Sequence, residues 1–171
     1  MKKTIFTLLI ALCGLASASA QKFALIDMES ILKNIPSYEM ANEQLNQVSL
    51  RWEKEVNELS KEAETMYKNY QSEMVFLTDE QKKKREEEIV LKEKEVTETR
   101  YKYFGPEGEL YKKRQSLMKP IQDDVYNAVK AVAEERGYAT IFDRASSQSI
   151  VFASPKIDVS NEVLAKLGYS K

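Results

Sequence analysis

The chain of 171 residues has no histidine, one cysteine, five glycines and four prolines. Each shortage excludes something. Without histidine the chain lacks the commonest general base and metal ligand. A Ser-His-Asp or Cys-His nucleophile cannot be assembled. One cysteine allows no disulfide within the chain. Scarce glycine and proline leave few turns and favour long regular elements. The one long apolar run, Ile5 to Leu15, covers about eleven residues, short of the ~20 that a membrane-spanning helix needs. The only glycine-rich stretch, Gly105-Pro106-Glu107-Gly108, continues into Glu109 rather than Lys, so no phosphate-binding loop is present.

What is plentiful is charge, 31% of residues against a usual ~25%. The first twenty residues read as a secretory signal: Lys2-Lys3, the apolar run, then Ala18-Ser19-Ala20 as a small-x-small cleavage site. The expected mature chain starts at Gln21. A lipoprotein signal on Cys13, preceded by Leu12, and a retained N-terminal anchor are the alternatives. Cleavage removes the only cysteine, leaving 24 basic and 27 acidic residues, a net −3. That balance argues against nucleic acid as a partner.

Phe23-Ala24-Leu25-Ile26-Asp27 reads as a buried strand, and Met28 to Asn34 as one or two helical turns. Ile35-Pro36-Ser37 breaks the pattern, with Ser37 as the expected N-cap of the next helix. Apolar residues then recur at Tyr38, Ala41, Leu45, Val48, Trp52, Val56, Leu59, Ala63, Met66, Tyr70, Met74 and Leu77. The mean step lies between 3.5, a coiled-coil repeat, and 3.6, a straight helix. Some 40 residues at 1.5 Å make a rod of about 60 Å. Thr78-Asp79-Glu80-Gln81 is a capping box and marks the tip of a helical hairpin near 77–82. An uninterrupted helix through this point is the alternative.

The return helix carries two adjacent columns at sevens. One is Ile89, Val96, Tyr103, Leu110 and Leu117; the other is Val90, Thr97, Phe104, Tyr111, Met118, Val125 and Val132. Together they read as one stripe facing a partner. The stripe keeps register across Gly105–Gly108, so the helix is expected to resume there after a short break, with Pro120 a second kink candidate. Gly137 ends it. Two strands are expected next, Tyr138 to Asp143 and Ser149 to Ala153, joined by the loop 144–148. Ser160 is the expected N-cap of a terminal helix, with Val159 and Leu164 as a hydrophobic staple. The domains expected are 1–20 as signal, 21–36 with 120–171 as a β-rich body, and 37–119 as a hairpin arm.

No catalytic constellation, cofactor motif or metal-ligand spacing stands out. Glu86-Glu87-Glu88 and Asp123-Asp124 read as solvated helix surface. Two clusters carry more information. Met66, Tyr67, Tyr70, Met74, Val75, Phe76 and Leu77 crowd the distal end of the outgoing helix over more than one face. They read either as tight packing at the tip or as an exposed surface for promiscuous apolar contact. Lys82-Lys83-Lys84-Arg85 follows the tip. Each lysine sits four residues before a glutamate and can pair along the helix. The cluster alternatively offers a weak contact to an anionic membrane surface or an acidic client.

An exported strand, helical hairpin, strands, short helix order resembles the Skp/OmpH family of periplasmic chaperones. The carriers are Phe23-Ala24-Leu25-Ile26-Asp27-Met28-Glu29-Ser30-Ile31-Leu32, Gly137-Tyr138-Ala139-Thr140-Ile141-Phe142-Asp143-Arg144, and Ile157-Asp158-Val159-Ser160-Asn161-Glu162-Val163-Leu164. Tyr103-Phe104-Gly105-Pro106-Glu107-Gly108 is similar to members from Bacteroidetes-like bacteria. The resemblance implies an α+β fold in which a long helical hairpin projects from a small β body. It implies a homotrimer with a central β-barrel and three tentacle-like arms. It also implies ATP-independent holding of unfolded outer-membrane proteins in the periplasm. On that reading Met66, Tyr67, Tyr70, Met74, Phe76, Lys82, Lys83, Lys84 and Arg85 are the client-binding candidates. Phe23, Leu25, Ile141, Phe142, Ile150 and Phe152 are the trimerisation candidates. No cofactor and no enzymatic activity are implied. Unlike the basic members of the family, this chain has a pI near 5.8. The rival reading is an envelope adaptor whose hairpin tip docks into one folded partner.

Overall fold

The structure, a computed structural model, describes residues 22–147 and 149–169. The signal-peptide reading, with Cys13 and the cleavage site, lies outside them, as does Gln148 of the expected loop. The elements are β1 (Lys22–Ile26), α1 (Met28–Lys33), α2 (Pro36–Glu73), a 3-10 turn (Met74–Phe76), α3 (Asp79–Phe104), α4 (Glu109–Arg136), β2 (Tyr138–Asp143), a second 3-10 turn (Pro155–Ile157) and α5 (Ser160–Lys166). The described residues form two compact units. One joins those up to Asn34 with those from Asp124 onward, and the other is Ile35–Asp123.

In the first unit β1 and β2 pair in parallel, Ala24 opposite Ile141 and Leu25 opposite Phe142. Parallel strands cannot be joined by a tight turn, and here the connection holds α1 to α4. The other side of β1 receives a single bridge: the Val159 N–H donates to the Leu25 carbonyl at 2.8 Å. Ala24, Leu25, Ile26, Ile31, Val125, Val132, Val159, Val163 and Leu164 are buried.

The second expected strand does not form. Residues 150–154 have no regular structure, and Val151 and Phe152 are 97% and 84% exposed. A β-rich segment becomes a strand only when it pairs with an unpaired edge, and residues 150–154 pair with none among the described residues: the sheet consists of β1 and β2 alone.

The second unit contains the hairpin. The cap of α2 lies two residues before its expected position at Ser37: Ile35 occupies the N-cap and Pro36 the first helical turn. Proline suits that position because its missing N–H would be unsatisfied there anyway. Ser37 therefore sits inside the first turn. The expected stripe on α2 is turned inward, with Ala41, Leu45, Val56 and Ala63 buried. Thr78 and Gln81 form the expected capping box, each side chain accepting from the other's backbone N–H, at 3.3 and 2.9 Å.

On α3 the two heptad columns part company. Ile89 and Tyr103 of the first are buried, whereas Val90 of the second is 61% exposed, and Tyr111 on α4 is 48% exposed. One column to the side is about 100° around a helix, beyond the narrow seam that a two-helix contact covers. The second column is buried only at Val125 and Val132, in the first unit.

α3 ends at Phe104 and α4 begins at Glu109, as the Gly105–Gly108 break required. A Cβ on Gly105 would lie 2.4 Å from the Tyr101 carbonyl oxygen, and one on Gly108 2.8 Å from that of Tyr103. Only glycine fits so close to backbone. Pro120 lies inside α4, which continues across it as one helix. Gly137 ends α4 in the left-handed region at φ 68°.

Candidate functional site

The hairpin is tied across by four polar links. The Tyr103 hydroxyl donates to both Glu55 carboxylate oxygens, at 3.0 and 3.1 Å, while its ring stacks on Trp52 at 4.7 Å with the planes 4° apart. Lys92 reaches Glu62 at 3.1 Å and Glu95 at 2.8 Å. Nearer the tip the Tyr70 hydroxyl bonds to Glu86, and Arg85 pairs with Glu73 at 3.8 Å. Donation to a carboxylate holds the Tyr103 and Tyr70 hydroxyls above the usual phenol range. Bonds to Glu95 and then Glu62 likewise raise Lys92. The carboxylates in these links, Glu55, Glu62, Glu73 and Glu86, are exposed, so the links fix register more than they add stability.

At the tip the chain turns through Met74–Phe76. Val75 and Phe76 are 75% and 85% exposed, and Met74 and Tyr67 are also exposed. Met66 and Tyr70 are half-buried. Tight packing of the two helices therefore does not account for the whole apolar cluster.

Three residues of the basic cluster are compensated locally, and one of them at the spacing expected. Lys83 pairs with Glu87 at 4.0 Å, but Lys82 turns back to Asp79 at 3.5 Å and Arg85 joins Glu73 and Glu88. The Lys-before-Glu spacing is the weaker orientation, and Glu86 is taken by Tyr70.

The assembly candidates are scattered in burial. Phe23 and Phe142 are about half exposed and meet edge to face at 6.5 Å. Ile141 and Ile150 are half-buried and Phe152 is exposed. Leu25 is buried within its own chain.

A further constellation had no role assigned from sequence. The Arg144 guanidinium joins Asp27 at 3.1 Å and Asp158 at 3.3 Å. The Asp27 side chain also caps α1, accepting from the Ser30 N–H, and the Asp27 backbone N–H donates to the Ser160 hydroxyl at 2.8 Å. Ser160 is consequently not a helix cap: Val159 holds that position, and the Ser160 N–H goes to Asp158. Asp143 accepts from the Met28 and Ala145 N–H groups, both at 3.0 Å. Partial burial pushes its carboxyl up, but bonds from the Ser146 side chain and the Met28, Ala145 and Ser146 backbones outweigh this and leave it below its usual range. The three segments that carry the family resemblance thus meet in one polar lock. Their acidic and basic residues were visible in sequence, but no spacing links positions more than a hundred residues apart.

Among the described residues no cluster of histidine, cysteine, aspartate or glutamate could hold a metal ion, and no helix is long and apolar enough to cross a membrane.

A two-strand sheet combined with a long, capped helical hairpin defines a mostly helical α+β protein. The profile of the OmpH-like outer membrane proteins matches residues 22–167, and the chain belongs to that family. It is similar to a protein of Yersinia enterocolitica described as chaperone protein Skp, with 24% identity over 160 residues, covering 92% of this chain and 93% of the relative. Its fold is similar to the crystal structure of an OmpH-like outer membrane chaperone from Caulobacter crescentus CB15. The TM-score is 0.68 at 10% identity, covering 88% of this chain and 86% of the other.

Proposed function

We propose that this protein is a holdase of the periplasm, exported by a cleaved signal peptide. It binds unfolded outer-membrane proteins between the hairpins of a homotrimer and keeps them from aggregating, without ATP. Family membership and the Skp relative support the chaperone class. The observation that carries the reading for this chain is the exposed apolar tip, with Val75 and Phe76 facing solvent beside Met74 and Tyr67. Large exposed apolar groups mark interaction sites, and methionine adapts to varied partners. Because Lys82, Lys83 and Arg85 already face carboxylates of the same hairpin, the tip holds clients by apolar contact rather than by net positive charge. Repeated weak contacts on three hairpins give useful affinity without sequence specificity.

Trimer formation would use the outer edge of β2 and the exposed Phe23, Phe142 and Phe152. Ser149–Ala153 would then become a strand on a neighbour's edge. Closing edges by symmetry removes a liability of a sheet of two strands.

The test is aggregation of a urea-unfolded outer-membrane β-barrel on dilution. The native protein should suppress it in trimer-stoichiometric amounts with no nucleotide. Replacing Met66, Tyr70, Met74 and Phe76 together by Ser should weaken suppression while light scattering still reports a trimer. A native protein that suppresses nothing, yet captures one folded partner in a crosslinking pull-down, would replace the holdase by an adaptor.

A further inference from the structure

One flank of the hairpin carries a chain of recesses that the cross-hairpin links leave open. The first, about 220 Å³, is lined by Glu53, Val56, Asn57, Arg100 and Phe104. The next, about 580 Å³, includes Ala63, Glu64, Tyr67, Glu93 and Val96. A third, about 540 Å³, lies nearer the start of α2 at Glu39, Met40, Asn42, Glu43 and Asn46. Their α2 members recur at three and four residues and so share one face. Glu55 and Glu62, which take the links to Tyr103 and Lys92, fall on the opposite flank of α2.

The first two recesses have apolar floors, and all three have acidic rims. Val56 and Ala63 are buried at the base. The rim holds the carboxylates of Glu39, Glu43, Glu53, Glu64 and Glu93 against the single guanidinium of Arg100. Lys68 on the same helix pairs with Glu64, so with Arg100 also counted the rim keeps an excess of three carboxylates. From Glu39 to Tyr67 the flank runs about 42 Å at 1.5 Å per residue. An extended peptide covers that length in about twelve residues, close to the 9–11 of one strand of a membrane barrel, whose side chains alternate apolar and polar.

Resting on the holdase reading, we infer that this flank is a second client surface that selects by charge: it takes extended segments with apolar residues at alternate positions and lysine or arginine between them. The apolar side chains enter the recesses, and the cations meet the acidic rim. The tip then supplies affinity and the flank supplies preference.

Two labelled ten-residue peptides with the same alternating apolar residues test this, one carrying Lys and the other Glu between them. The native protein should bind the Lys peptide about tenfold tighter at low salt, through charge complementarity. The gap should close near ~0.5 M salt, where screening is strong. The triple substitution Glu43→Gln, Glu53→Gln and Glu93→Gln should remove the preference, with helical content unchanged by circular dichroism. Equal binding of both peptides by the native protein would overturn the charge selection even if the protein still held unfolded barrels. A preference that survived the triple substitution would overturn this flank as its source. A Lys preference in a protein that held no unfolded barrel would sink the holdase and leave the flank standing.

Discussion

The two units of the chain are stabilised in different ways. In the first, residues distant in sequence enclose one another: Ile31, Val125 and Val163 are essentially without solvent contact, and Arg144 locks three separate segments. In the hairpin unit, contact is a single seam, and the flanking residues are charged and wet. Val151 aside, no described Leu or Val of the first unit is exposed, whereas in the hairpin several face water: Leu50, Val75, Val90 and Leu91 are all more than half exposed. An enclosed unit suits fixed self-recognition. A long seam with exposed apolar groups suits contact with variable partners.

The sharpest way to test this contrast is to remove the same kind of mass from each unit. Ile31→Ala should cost about 3–4 kcal/mol, the usual range for a fully enclosed core side chain, read as a fall in the urea midpoint. Trp52→Ala should cost less, about 2 kcal/mol, because Trp52 is half-buried and the lost stacking on Tyr103 is only part of a core contact. A larger loss for Trp52 than for Ile31 would reverse the comparison.

The polar lock should show itself through pH. The folded-state carboxyl of Asp143 lies below its ordinary value of 3.8, so it stabilises the fold above that pH. The contribution is lost as pH falls through the depressed folded value. Asp143→Asn should therefore cost about 1 kcal/mol at pH 7, the worth of an ordinary hydrogen bond after allowing for exposure, and much less at pH 2. Equal cost at both values, measured by urea unfolding, would remove the carboxylate from the account. Smallest of all should be Lys83→Gln at the tip. Its pair with Glu87 is 4.0 Å long and exposed, so the change should stay within about 0.5 kcal/mol.

The same contrast explains what could be read in advance. The hairpin is built from local rules, and its α2 stripe, the Thr78–Gln81 capping box and the Gly105–Gly108 break all follow from short-range spacing; so does the Gly137 stop in the first unit. Where local signals compete, the less obvious one prevails. Pro36 displaced Ser37 at one helix start, and Val159 displaced Ser160 at another, because the Ser160 hydroxyl is engaged by Asp27. The Arg144 lock joins residues 27, 144 and 158, which no periodicity connects. Ser149–Ala153 has strand composition but pairs with no edge among the described residues. The acidic flank stayed hidden because its carboxylates look, in sequence, like any solvated helix face.

The division of labour between the units is tested most directly by photo-crosslinking. A photoreactive residue is placed at Phe76 on the hairpin tip or at Val151 in the first unit, and each protein is mixed with an unfolded outer-membrane β-barrel. The account predicts client adducts from position 76, and from position 151 adducts only to another copy of this chain. Client adducts from 151 with none from 76 would contradict it.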